Sequence, residues 1–138
     1  MANALYGKGR NKFARGEIHW LAVGGDSIKA VLVDTALYTV QIDTHEFLSD
    51  IAAGARLSIG TLTLIDPALG VCDAQDVTLP GPISATGEAI AIYKDTGVEG
   101  TSPLLAYIDT AAAGLPVPIF SGDVLIQWDN GANKIFKL

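Results

Sequence analysis

The sequence predicts an all-β fold, an antiparallel β-sandwich or small barrel, jelly-roll-like, with a short N-terminal helix or arm. Three observations predict it. About eight short apolar stretches alternate with the period of a pleated strand. Clusters of Gly, Asp, Asn and Pro separate them at turn-sized intervals. Only residues 2–15 carry helical spacing over any length. At 138 residues the chain has the length of one domain. The expected division is a basic helix or arm at 1–16 and a single β domain at 17–138.

The elements follow in order. In residues 2–15, Leu5, Gly9 and Phe13 recur at helical intervals with Tyr6 beside them, and Asn3 stands where an N-cap belongs. Gly7 and Gly9 each weaken that helix by about 1 kcal/mol, so an extended arm remains the alternative. Gly16 ends the segment. Residues 17–23 alternate, with Ile18 and Trp20 on one side and His19, Leu21 and Val23 on the other. Gly24, Gly25 and Asp26 turn the chain, and 27–33 return as the second strand of a hairpin. His19 lies mid-strand without a partner that would make it a base, and reads as structural.

Residues 36–42 form the next expected strand, with Tyr38, Val40 and Ile42 on one face. Thr44 caps a short helical turn that gathers Phe47, Leu48 and Ile51, with His45 exposed in its first turn. In 56–65 the alternation slips: Leu57 and Ile59 share one parity, Leu62 and Leu64 the other. A β-bulge at Gly60 would reconcile them, and Asp66-Pro67 ends the strand. Residues 69–76 are less regular. Residues 77–79 are a short strand stopped by Pro80-Gly81-Pro82.

Residues 87–93 and 103–109 are apolar on both faces, as a central pair of strands must be, and the polar stretch 95–102 joins them. Residues 110–121 are small and proline-rich. Pro116 and Pro118 forbid regular ladder pairing, which leaves an extended edge, an arm lying on another subunit, or a surface loop. Residues 122–138 read as a terminal hairpin. Val124, Ile126 and Trp128 alternate with Leu125 and Gln127, Asp129-Asn130-Gly131 makes the turn, and a strand from Asn133 carries Ile135 and Phe136 back into the main sheet.

Composition bounds the partners. Apolar residues are 49% and charged residues 17%, ample for a core and thin for a surface. Either a partner covers part of that surface, or the chain is a tightly packed monomer with Ala-, Gly- and Thr-rich loops. The net charge of −6 is unevenly spread. Lys8, Arg10, Lys12 and Arg15 precede the first acid, Glu17, so residues 1–15 carry +4; the other five cations and fifteen acids leave the remainder at −10. Such a basic leader can dock on an acidic surface, its own or a neighbour's, or stand as a solvated helix face. The acidic body disfavours nucleic acid.

Little points to chemistry. Cys72 is the single cysteine, His19 and His45 are far apart, and no calcium-loop spacing occurs, so no disulfide within the chain, metal or cofactor is expected. Asp26, Asp34, Asp43, Asp66, Asp95, Asp109, Asp123 and Asp129 mark turns and strand ends, where a carboxylate bonds nearby backbone N–H groups. There is no Gly-x-Ser-x-Gly elbow or phosphate loop, and Cys72 has no adjoining cation to activate it. The expectation is a protein that is not an enzyme. No apolar run reaches the roughly 18 residues of a membrane span, and no apolar segment follows the leading cations as a secretory signal would require. A protein made in the cytoplasm, and kept or assembled there, is expected.

Several runs carry a resemblance: HEFLSDI at 45–51 with AGAR at 53–56, AIYKDTG at 91–97 with TSPLLAYIDT at 101–110, GLPV at 114–117, and above all WDNGANKIFKL at 128–138. ANALYGKGR at 2–10 also fits. Together they resemble a family of small structural proteins encoded in the virion gene clusters of tailed phages and prophages, over most of the chain but least over 55–85. None of these runs is catalytic. The resemblance implies a virion location and most readily a head decoration, or cement, role on the major capsid protein, with a tail or connector component next. Cement proteins commonly sit as trimers at symmetric junctions of the coat, so a homo-oligomer, a trimer first, is implied. Lys8, Arg10, Lys12 and Arg15, with the edge Leu115, Pro116, Val117, Pro118, Ile119 and Phe120, are the contacts expected. A host-glycan-binding tail module and a small glycan hydrolase are the competing classes; the first requires exposed aromatics in a groove, the second paired acids in a cleft.

Overall fold

The structure, a computed structural model, describes residues 4–109, 114–131 and 134–138. It is all-β and layered, with one short α-helix among the described residues. The main sheet is antiparallel and built from β1 (Ala4–Leu5), β2 (Ile28–Val33), β3 (Arg56–Thr61), β7 (Ala89–Lys94) and β8 (Leu104–Ile108), in the order β1-β8-β7-β2-β3. A second layer contains β4 (Leu64–Ala68), β5 (Val71–Ala74) and β10 (Phe136–Lys137), in the order β10-β5-β4, and the pair β6 (Val77–Leu79) with β9 (Val124–Ile126). The sheets stay open, so the sandwich and not the closed barrel is the form taken. Helix α1 (Gly7–Ala14) lies against β8.

The central strands β2, β7 and β8 are buried on both faces because they are apolar at both parities, whereas the edge strand β3 leaves Ile59 and Thr61 exposed. Ala30, Leu32, Ile90, Ile92, Ala106 and Ile108 belong to one core, roofed by the second layer with Trp20 and Trp128. Val31, Val33, Ala89, Ala91, Tyr93 and Tyr107 belong to the other, roofed by Tyr6 and by Tyr38, Leu48, Ile51 and Ala55 from the irregular segment 34–55. The strict period of two sorts them. On β8 the parity reverses once: Leu104 joins the second core while Leu105 and Ala106 both join the first, at the register shift opposite Ile92 and Tyr93. Each large side chain so buried stabilises by about 1.5–3 kcal/mol.

The central pair expected at 87–93 and 103–109 is present as β7 and β8, and β6 stops at Pro80 as expected. Several local expectations are corrected. Residues 17–23 are not a strand. Ile18 and Trp20 are buried as their alternation implies, but the segment joins no ladder among the described residues, and the turn is held by Asp26 accepting the His19 N–H at 2.6 Å. Residues 36–42 likewise keep Tyr38, Val40 and Ile42 inward without a paired strand. Residues 56–65 break into β3 and β4. The bulge falls at Leu57, between the pairs Leu32↔Ser58 and Val33↔Arg56, and the run then alternates with Ser58, Gly60, Leu62 and Leu64 inward. Gly60 is required for close approach: a Cβ there would stand 2.8 Å from Val77 Cγ2 and 3.1 Å from Leu79 Cδ2.

The irregular stretch at 69–76 contains β5. Asp66-Pro67 does not end β4; the strand reaches Ala68, and Leu69 and Gly70, at φ 52° and 78°, turn it into β5. The terminal hairpin is also overturned. β9 pairs with β6, at Val77↔Ile126 and Leu79↔Val124, while β10 pairs with β5, at Phe136↔Cys72. The two halves share no ladder with each other. The alternation of 124–128 was still the correct guide to burial: Ile126 and Trp128 are inside, Leu125 and Gln127 outside. The Asn3 cap, residues 110–113 of the proline-rich connection and the Asn133 start of the last strand lie outside the described residues.

Candidate functional site

The N-terminal segment is joined to the body by its own chemistry. β1 pairs with β8, the Tyr6 N–H donates to Leu105 O at 2.9 Å, and the Tyr6 ring is fully buried. The helix begins when the Arg10 N–H donates to Tyr6 O at 3.0 Å. Gly9 is buried against β8, where a Cβ would collide with the Leu104 carbonyl oxygen. Phe13 reaches the second layer and meets Phe136 edge-on at 5.9 Å, and Phe136 in turn meets Trp20 at 5.2 Å.

This docking divides the four leading cations. Lys8 and Lys12 lie 3.5 and 3.4 Å from Glu46, and Lys12 and Arg15 lie 4.0 and 3.7 Å from Glu17. Lys12 also sits over the Phe47 ring, 5.5 Å from its centroid. The basic leader therefore meets acids of its own chain. Pairs this exposed contribute about 0–1 kcal/mol each, so they orient the helix more than they hold it. Lys8, Asn11, Lys12, Arg15 and Glu46 rim a hollow of about 180 Å³. Arg10 points elsewhere. It borders an apolar hollow of about 280 Å³ with Phe13, Ala14 and Leu138, and makes no ion pair among the described residues.

That hollow shares Phe13 and Leu138 with a larger groove of about 380 Å³, whose walls include Trp20, Leu21, Pro67 and Cys72. Leu21 is 42% exposed and Leu138 54%. The groove exists because 17–21, having no strand partner, lies across the open end of the β4–β5 turn. The Ala22 N–H donates to Asp66 there at 2.8 Å, and the Trp20 indole N–H donates to Asp73 O at 2.9 Å. Burial pushes the Cys72 thiol up to about 11, so it is a wall of the groove and not a nucleophile at neutral pH.

Residues 115–120 are divided as well. Val117 was expected at a partner interface, but it is fully buried in the first core, and its N–H and carbonyl both bond Gly87 at 2.8 Å; that expectation is corrected. Leu115 packs half-buried on the same core. Pro116 and Pro118 face outward, and the prolines limit the segment to isolated bridges at Gly87 and Ile83. Ile119 and Phe120 are 70% and 49% exposed. Leu125 on β9 is also half exposed, at 51%.

The carboxylates at turns behave as their positions imply. Asp34, Asp95, Asp123 and Asp129 accept backbone N–H groups from Ala36, Gly97, Gly81 and Gly131 at 2.9–3.0 Å. Among the described residues no three His, Cys, Asp or Glu side chains come together as a metal-holding group, and no helix is long and apolar enough to cross a membrane.

Sequence reasoning missed one polar chain. His45 was expected exposed in a helical turn; its Nδ1 instead lies 2.7 Å from the Tyr38 hydroxyl, which lies 2.9 Å from the Tyr6 hydroxyl. The Gln41 N–H also points at Nδ1, at 3.3 Å, which makes that nitrogen an acceptor. The expected Thr44 cap gives way to Asp50, which reaches back to accept the Glu46 and Phe47 N–H groups. Burial pushes Tyr38 up to about 12 and raises Tyr6 further. Nothing in the spacing of Tyr6, Tyr38 and His45 announces their meeting.

No protein-family model matches the chain, and no curated protein sequence matches it.

Proposed function

We propose that the chain is a structural protein of a tailed-phage virion, a head decoration protein that binds the lattice of the major capsid protein and stiffens the shell. The observation that carries this reading is the contrast between interior and surface. The central strands β2, β7 and β8 are sealed on both faces, yet Leu21, Leu138, Ile119, Phe120 and Leu125 remain outside. With only 17% charged residues to solvate it, such a surface supports a partner. A cement protein requires a stiff body and adhesive patches, not a cofactor. The runs resembling phage structural proteins point the same way.

The test is reconstitution. Purified chain is added to particles lacking it, made by the phage or induced prophage that encodes it. Saturable co-sedimentation and a higher shell melting temperature are expected. Absence of co-sedimentation with intact shells would overturn the reading. Binding confined to tail tips or to host glycan would replace it with the tail-module alternative.

A further inference from the structure

The hairpin of β4 and β5 carries an apolar tip that its own fold does not use. Ala68 pairs with Val71, so Leu69 and Gly70 are the two residues of the loop, at φ 52° and 78°. Two positive φ angles make the tight turn in which Asn-Gly is the favoured sequence, because asparagine and glycine tolerate the left-handed region. Leucine there strains the backbone. Burial does not offset that strain, since Leu69 is 93% exposed. Ile65, Pro67 and Ala68 behind it on β4 are exposed too. Pro67 and Gly70 share a groove with Leu21, and the Ala22 N–H donates to Asp66, so Leu21, exposed as well, lies beside the hairpin.

We infer that Leu69 is a contact side chain: it enters an apolar pocket with a basic rim on a protein partner, the shell to which the decoration reading assigns the chain. The partner's identity rests on that reading; the chemistry of the pocket is read from the hairpin. A large, solvated leucine at a strained turn position lowers folding stability, and no contact inside the chain offsets the loss, which is the pattern of a position kept for function. Charge decides between a protein and a lipid surface. The hairpin carries Asp66 and Asp73 and no cation. Their carboxylates accept the Ala22 and Ala74 N–H groups at 2.8 and 2.9 Å. Lys137 on β10, opposite Val71, forms an ion pair with neither of them among the described residues. These acids would repel an anionic membrane or a nucleic acid. Lys or Arg around a partner's pocket would steer and align them.

The experiment compares the full chain with its Leu69→Asn variant and with Leu37→Asn, a change at an exposed leucine in the segment that roofs the other core. Two quantities are read: urea unfolding, and co-sedimentation with particles lacking the chain. Leu69→Asn is expected to be more stable, with its unfolding constant lowered about fivefold, and to bind shells about tenfold more weakly. Leu37→Asn is expected to bind as the parent does. Asp66→Asn with Asp73→Asn is expected to weaken binding at low salt and to match the parent at about 1 M salt, where charges are screened. A Leu69→Asn variant that binds like the parent would overturn the inference and leave the decoration reading standing. So would an equal loss in Leu37→Asn, a Leu69→Asn variant less stable than the parent, or binding indifferent to salt. Flotation of the parent with phosphatidylcholine vesicles would also overturn it, by making the tip a lipid contact. A parent that binds no shell would remove the decoration reading and this contact with it.

Discussion

Gly9→Ala sets two opposing effects against each other, and the structure says which is larger. In the interior of a helix, alanine is favoured over glycine by about 1 kcal/mol, so by propensity alone the variant is more stable than the parent. Gly9, however, lies flat on β8. A Cβ at that position would overlap the Leu104 carbonyl oxygen and stand 3.0 Å from Leu105 Cα and 3.3 Å from Leu105 O. All three are backbone atoms of a strand held by β7 on one side and β1 on the other, so none can step aside. Relief requires α1 to lift, which loosens the burial of Tyr6 and Phe13. Overpacking of this kind costs about 1–3 kcal/mol, and partial loss of one buried aromatic adds to it. The net expectation is a destabilisation of about 2 kcal/mol. Gly7→Ala is the control, because its Cβ would stand 2.8 Å from Asp43 Oδ1, the free end of a side chain that can swing away; a change within about 0.5 kcal/mol is expected. Urea unfolding followed by tryptophan fluorescence reads both, since Trp20 and Trp128 are buried. A Gly9→Ala variant as stable as the parent would refute the close docking of α1.

Other outcomes follow from the same contacts. Tyr38→Phe leaves the buried Tyr6 hydroxyl without its partner and is expected to cost about 1–3 kcal/mol, while Tyr6→Phe with Tyr38→Phe costs less than the two single changes together; additive losses in urea melts would sink the coupling. The unfolded chain releases the Tyr38 proton near 10.0 and the folded chain holds it to about 12. Its contribution is therefore complete below pH 10 and is lost as pH rises through 12, with Tyr93 and Cys72 acting in the same direction; unfolding free energy that stays flat over that window would contradict the burial of these groups. At the acid end, the Lys29 ammonium at 2.8 Å and the Gly97 N–H hold Asp95 below its ordinary 3.8. That stabilisation is present above 3.8 and lost as pH falls through the lowered value, and Asp95→Asn is expected to flatten that part of the pH–stability curve.

Much of the fold was legible in the sequence, because burial in a sheet follows parity. The apolar-on-both-faces runs at 87–93 and 103–109 could only be central strands, and the alternations in 17–23, 36–42 and 124–128 correctly gave the inward side chains. Pairing was not legible, because parity says which way a residue faces and nothing about its neighbour. Residues 124–128 and 136–137 read as partners across Asp129-Asn130-Gly131, yet each found a different strand already in place, β6 and β5. The Leu69–Gly70 turn escaped notice because leucine is a poor residue for φ 52°. For the candidate surface, sequence located the cations but not their direction. Glu46 captures Lys8 and Lys12 from across the fold, and only docking of α1 through Gly9 and Phe13 separates Arg10 from them. The groove itself is assembled from four distant stretches and left no local signal.

The most direct test of the decoration role is a copy number: the amount of this chain per purified particle relative to the major capsid protein, by quantitative mass spectrometry. A protein that tiles the shell is present at a fixed large fraction of the coat protein, up to one to one, and that is the result expected here. A few copies per particle would contradict the head assignment and move the chain to the tail or connector. Absence from the particle would contradict the virion reading altogether.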